Sequence, residues 1–164
     1  MLEILSSVNI PDISFYFIGE GQANLLQSYC NGLLKDRLRI LGRVPESECE
    51  HWISSADFLL IIGNNVSNQI PSKVFSYMSY GIPIIATCKS KECPTRRYLQ
   101  MIPNALIIDE FDDVRENVRK IEEHILNYMG SRLSLEQINS YASMYTPEKV
   151  ACYMLENING GKCE

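Results

Sequence analysis

The five residues Phe58-Leu-Leu-Ile-Ile62 constrain this chain more than any other stretch. A strand with one face in water alternates apolar and polar side chains, and this run has no polar position. A polar loop, Gly63 to Ile70, follows it. Such an apolar segment is stable as a strand buried on both faces, inside a parallel sheet covered by helices. Parallel strands cannot be joined by tight turns, so helical crossovers must separate this one from its neighbours.

The rest of the chain meets that demand. Further strands are expected near Ile13–Ile18, Leu38–Leu41, Ile84–Ala86 and Leu106–Ile108. Between them, Leu25, Leu26, Tyr29, Leu33 and Leu34 share one helical face. Ser47 and Glu50 have the spacing of a capping box, and Trp52, Ile53 and Ala56 follow on one face. Pro71 to Tyr80 reads as a helix opened near Pro71 and Ser72 and ended by Gly81. Pro94 to Met101 reads as a short helix, and Val114, Val118, Ile121, Ile125 and Tyr128 as a long amphipathic one. Leu135, Ile138, Ala142 and Tyr145 suggest another, and Thr146-Pro147 opens a last helix that stops at Gly160-Gly161. The expectation is one α/β domain over residues 1–164: a Rossmann-like parallel sheet of about five strands with helices on both faces. Residues 112–164 supply its C-terminal helices.

Composition narrows the function. A net charge of −5 offers no electrostatic surface for nucleic acid or anionic lipid, so no nucleic-acid partner is expected. Lys89, Lys91, Arg96 and Arg97 read as a solvated loop. The six cysteines contain no C-x-x-C pair, so no metal site is expected, and free thiols in a reducing cytosol fit best. No stretch reaches the length of a transmembrane helix and no signal peptide is visible, so the expected location is cytoplasmic.

Ligands of open parallel sheets bind beyond the carboxyl ends of the strands. Three such loops carry suggestive residues: Gly19-Glu20-Gly21, Gly42-Arg43-Val44, and Asn64 to Lys73, which ends on a helix start where free N–H groups favour a phosphate. Each has a plainer reading. Gly-x-Gly pairs commonly just close turns, and Lys73 serves equally well as a solvated lysine of a first turn. His51, beside Trp52, reads as a surface or packing residue, and His124, beside Glu122 and Glu123, as part of a solvated face. Asp109-Glu-Phe-Asp-Asp113 reads as a loop leading into a helix N-terminus. No nucleophile–base arrangement, Walker loop or metalloprotease motif is present, so no catalytic residue is assigned.

The ordered set of motifs adds a resemblance. Phe17-Ile-Gly-Glu-Gly21, Leu38-Arg-Ile-Leu-Gly-Arg-Val44, Ser55-Ala-Asp-Phe-Leu-Leu60, Pro71-Ser-Lys73 and Tyr77-Met-Ser-Tyr-Gly-Ile-Pro-Ile-Ile85 together resemble the carboxyl-terminal domain of GT-B glycosyltransferases, in particular bacterial group 1 transferases of polysaccharide and glycoconjugate assembly. The resemblance implies a domain that binds a nucleoside-diphosphate sugar as donor substrate, with no further cofactor. Gly19 and Gly21, in the first of the matching blocks, are candidates for the donor site. Arg43 and Val44 match the loop beside the base, and Ser72 and Lys73 the helix start facing the diphosphate. Asn68 and Ser76 stand where the family usually carries two glutamates for the sugar and ribose hydroxyls, and neither is acidic.

The family's first strand, central in its order 3-2-1-4-5-6, and the basic loop after it have no counterpart here. Met1 to Val8 resembles only the end of the following helix. The resemblance therefore implies a fragment or one piece of a split enzyme, partnered by an N-terminal acceptor domain that is missing or on a separate chain. The first and third strands are expected either to pair directly or to accept a strand from another chain, and the exposed sheet offers a surface for a homo-oligomer. As part of a larger enzyme, the chain would sit peripherally at the inner face of the membrane. The alternative is a non-catalytic nucleotide-binding or partner-docking module. A non-hydrolysing sugar-nucleotide epimerase would require acidic and His residues in the cleft that have no place here.

Overall fold

A computed structural model describes residues 1–21, 23–63 and 69–159. Helices and parallel strands alternate. First come α1 (Leu2–Ser7), β1 (Phe15–Ile18), α2 (Ala23–Cys30), β2 (Leu38–Gly42) and α3 (Glu46–Ser55). Then follow β3 (Leu59–Ile61), α4 (Lys73–Met78), β4 (Ile84–Cys88), α5 (Arg96–Leu99) and β5 (Ala105–Asp109). The chain ends with α6 (Val114–Tyr128), α7 (Leu135–Ala142), a 3-10 turn (Ser143–Tyr145) and α8 (Pro147–Asn159). The five expected strands are all present and every pairing is parallel, giving a Rossmann-like α/β fold.

The strands form two sheets rather than one. β1 pairs with β2, and β3 pairs with β4, which pairs with β5. The first and third strands do not pair directly. Helices hold the two sheets side by side. On one face, Ile4 and Val8 of the α1 segment pack with Phe58, Leu60, Ile85 and Ile108, while Leu2 packs with Phe15, Phe17 and Leu38. On another, Trp52 of α3 stacks on Tyr16 of β1 at 4.8 Å, while Ile53 of α3 joins the cluster around β3 and β4.

Polar contacts at the two ends of α1 fix the relative direction of the sheets. The Met1 ammonium pairs with Glu110, just past β5, at 2.9 Å. At the other end, Arg37, just before β2, donates to the Ser6 and Val8 carbonyls at 2.8 and 2.7 Å. The carboxyl end of β5 and the amino end of β2 thus lie at opposite ends of α1, so both sheets point the same way. The carboxyl ends of all five strands share one side.

Several boundaries differ from the sequence reading for identifiable reasons. Phe58–Ile62 shortens to three paired residues because only β4 flanks that strand, and Ile62 is half exposed. The capping box expected at Ser47 is absent: Pro45 occupies the cap of α3, its fixed φ of −57° suiting the position. A complete capping box stands instead at Ser134 and Gln137 of α7. Gly81 ends the turn after α4 at φ 66°, and a side chain there would meet the Leu133 carbonyl at 2.9 Å. His124 is buried rather than solvated, with its ring 4.8 Å from Tyr128 and 5.9 Å from Phe58. Cys30, Cys49, Cys88 and Cys93 are free thiols, whereas Cys152 is disulfide-bonded, against the expectation of free thiols.

Candidate functional site

The candidate site is the shared carboxyl edge of the strands. After β1, Gly19 and Gly21 take φ values of 126° and 154°, which side-chain-bearing residues rarely adopt. An added Cβ at either would meet nothing within 4 Å, so the glycines serve the backbone path and leave open space above it. The Gly19 N–H donates to the Gly42 carbonyl at 2.7 Å, which locks the loops after β1 and β2 together. Gly42, at φ 68°, turns the chain outward, leaving Arg43 exposed and Val44 half-buried beside it.

The loop after β3 is anchored differently. Its first residue, Gly63, donates its N–H to the Thr87 hydroxyl at 3.0 Å. A Cβ on Gly63 would lie 2.4 Å from the Thr87 carbonyl oxygen, so only glycine lets this loop lie against β4. Gly63 and Thr87 were not singled out from sequence. A Gly directly after an all-apolar strand was the available signal, since it marks a close backbone approach. Asn68 lies outside the described residues. Ser72 caps α4 without a side-chain bond, and its carbonyl accepts from the Phe75 and Ser76 N–H groups at 3.1 and 3.3 Å. Lys73 and Ser76 are exposed, and among the described residues Lys73 makes no ion pair. Gly19, Gly21, Arg43 and Val44 thus form one group above the β1–β2 sheet, and Ser72, Lys73 and Ser76 a second group above the β3–β5 sheet.

Along the same edge, two of the four basic residues read as a solvated loop, Lys89 and Arg96, pair with the acidic run, while Lys91 and Arg97 are exposed. Arg96 bonds Asp109, and Lys89 lies 3.8 Å from Glu110, which also holds the Met1 ammonium. Only Asp113 of the acidic run caps a helix, accepting the Glu116 N–H at 3.0 Å. Among the described residues no group of three His, Cys, Asp or Glu side chains could hold a metal ion, and no helix is long and apolar enough to cross a membrane.

The family model for glycosyl transferases group 1 matches residues 1–127. The chain belongs to the group 1 glycosyl transferases. Six solved chains also match this glycosyl transferase chain. Among them is the crystal structure of WaaG, a glycosyltransferase involved in lipopolysaccharide biosynthesis, with a TM-score of 0.66 and 15% identity. That superposition covers 98% of the present chain and 42% of the WaaG chain, so the glycosyl transferase chain described here spans less than half of that protein's length. No curated protein matches the sequence.

Proposed function

We propose that this chain is the donor-binding part of a group 1 glycosyl transferase, holding a nucleoside-diphosphate sugar whose sugar passes to a polysaccharide or glycoconjugate acceptor. The observation that carries the reading is the shared carboxyl edge, with glycine loops over one sheet and, over the other, a helix start whose Lys73 makes no ion pair among the described residues. In this arrangement the diphosphate meets N–H groups near Ser72 and the Lys73 ammonium. Arg43 and Val44 flank the base, Gly19 and Gly21 give the donor room, and Ser76 stands toward the ribose hydroxyls; Asn68, the other residue the resemblance matches to the sugar site, lies outside the described residues. WaaG's role in lipopolysaccharide biosynthesis supports the acceptor class.

Transfer also needs an acceptor hydroxyl, and a base to take its proton, held against the anomeric carbon. Those groups belong to an N-terminal acceptor domain, in a longer polypeptide or on a separate chain. A strand from that partner would fit between β1 and β3, which do not pair with each other and, among the described residues, have one strand partner each; a second copy of this chain is the other candidate for that edge. The assembly would work in the cytoplasm, against the inner membrane face. A second reading, a nucleotide-binding or partner-docking module without catalysis, is favoured by Ser76, a short hydroxyl where a carboxylate would hold ribose.

A thermal-shift panel of UDP, GDP, ADP and CMP tests the donor-binding reading, since a ligand of the folded state raises stability by mass action. One nucleoside diphosphate should raise the melting temperature, and Lys73→Ala should weaken its binding by about 1–2 kcal/mol, a factor of roughly 5–30. No shift with any nucleotide, together with a complex formed with an acceptor-domain protein, would favour the docking module. The isolated chain should transfer no sugar from labelled UDP- or GDP-sugars to envelope extract.

A further inference from the structure

We propose that Arg97, Tyr98, Met101 and Tyr145 form a second small-molecule site, one that takes a sugar ring carrying a negative charge. These residues line an open pocket of about 390 Å³, within the roughly 300–1,000 Å³ usual for small-molecule sites. Aromatic rings from three elements build it. Phe75 of α4 and Tyr98 of α5 have centroids 5.0 Å apart, and Tyr145 of the 3-10 turn stands 5.5 Å from each. Tyr98, Met101 and Tyr145 pack, partly buried, against the large apolar cluster beneath α4, α5 and α7. Phe75 stays 36% exposed and the two tyrosines half-buried, so the core below sets the rings without closing over them.

The charge in the pocket specifies the anionic group. Arg97 is held by its neighbour's ring rather than by an acid: its guanidinium carbon lies 4.6 Å from the centre of the Tyr98 ring, and its Nη2 donates to the Tyr98 hydroxyl. Among the described residues it makes no ion pair, whereas Arg96 beside it bonds Asp109. A stacked guanidinium keeps the rest of its planar fork of donors free, and that fork suits a carboxylate or a phosphate.

The rings favour a sugar over a bare anion. A pyranose has a face of C–H groups that packs on an aromatic ring, and a rim of hydroxyls that tyrosine hydroxyls can meet. Met101 adds an unbranched, adaptable apolar wall. A staple that only fastened the 3-10 turn to α4 and α5 would need neither the open volume nor the uncompensated cation. The pocket lies toward the donor edge: Arg96, next to Arg97, bonds Asp109 at the carboxyl end of β5, and Phe75 follows Lys73 by two positions on α4. A charged sugar bound here belongs to the acceptor glycan, an assignment that rests on the glycosyl transferase function proposed above.

The test is saturation-transfer NMR on the full chain with methyl glucuronide, glucose 6-phosphate and methyl glucoside, and with acetate and inorganic phosphate as competitors. The charged sugars should bind through their ring C–H protons, the neutral one about fivefold more weakly, the upper end for a solvent-exposed ion pair. The tighter of the two charged sugars identifies carboxylate or phosphate as the group. Arg97→Gln should bring the charged sugars down to the neutral level, and Tyr145→Leu should abolish binding of all three. If Tyr145→Leu does not fold, Arg97→Gln at an exposed position still carries the test. Both variants should keep the parent's melting response to nucleoside diphosphates. Equal binding of charged and neutral sugars, displacement of the sugars by acetate or phosphate at equal concentration, or no sugar binding beside an intact nucleotide response would each overturn the proposal. Sugar binding that depends on Arg97, without any nucleotide response, would support this site and count against the donor reading alone.

Discussion

The β3–β5 half and the β1–β2 half are built from the same unit, parallel strands joined by crossovers, yet they bury very different amounts of apolar side chain. Among the described residues, eleven buried ones form the cluster on one face of β3–β5, from Leu59 and Val74 to Ile138 and Tyr141. The cluster of the β1–β2 half has three: Leu26, Leu34 and Leu38. The difference follows from lateral neighbours. β4 lies between two strands and all five of its residues are buried, whereas β1 and β2 each have one strand partner and Tyr16 is half exposed. A parallel strand needs strands at its sides as much as helices on its faces. The β1–β2 half accordingly depends on the helices α1 and α3 that tie it to its larger neighbour.

The largest effect should come from the larger core. Leu99→Ala, fully buried under β4 and β5, should destabilise by about 3–5 kcal/mol, and Leu26→Ala in the small cluster by about 2 kcal/mol. Urea unfolding followed by tryptophan fluorescence measures both, because the single Trp52 lies between the halves. Equal costs would break the comparison and show that the two halves share one cooperative core.

A smaller effect tests the tie itself. Tyr16→Leu keeps apolar bulk but removes the ring that stacks on Trp52, and should cost about 0.5–1.5 kcal/mol. Amide exchange in β1 and β2 should quicken in this variant while β4 stays protected, since sub-global opening follows the least buried unit. Uniform quickening across both sheets would mean that α3 does not act as a clasp between separately stable halves.

What was legible in the sequence was local. The apolar run at Phe58–Ile62, the helix Val114–Tyr128 and the stop at Gly81 all follow from periodicity or from a backbone angle that glycine adopts. Strand pairing and side-chain partners over long separations were not. The split into two sheets depends on which edges meet, and no window of sequence carries that. Arg96 read as a solvated charge because its partner Asp109 lies 13 positions on, and Met1 reaches Glu110 across 109. His124 was a missed local signal: it lies three residues after Ile121 and four before Tyr128, on the apolar stripe, but its polar neighbours Glu122 and Glu123 drew it to the wrong face. At the site, strand-end logic picked out the loops that hold Gly19 and Gly42, but not the bond from the Gly19 N–H to the Gly42 carbonyl that joins them.

The smallest expected effect sharpens the comparison through pH, because the buried histidine belongs to the β3–β5 half alone. Burial holds His124 below its ordinary value of 6.5, with backbone hydrogen bonds at Asn104 and Ile84 offsetting part of that, and its Nε2 has no hydrogen-bond partner among the described residues. The unfolded chain therefore takes up its proton first. Stability is fully present above 6.5, falls as pH is lowered through 6.5, and levels off only below the folded-state value. Paired carboxylates contribute mainly below about pH 5, so a series from about pH 7.5 to 5.5 isolates the imidazole. Urea midpoints of the parent chain should fall across that range, and those of His124→Gln should stay nearly flat, the variant being less stable at the alkaline end. Exchange should show the acid loss in β4 and β5, which pack against α6, with β1 and β2 following only as far as α1 and α3 transmit it. A parallel fall in parent and variant would place the titrating group elsewhere. A fall centred on β1 and β2 would mean that acid weakens the ties between the halves rather than the larger core.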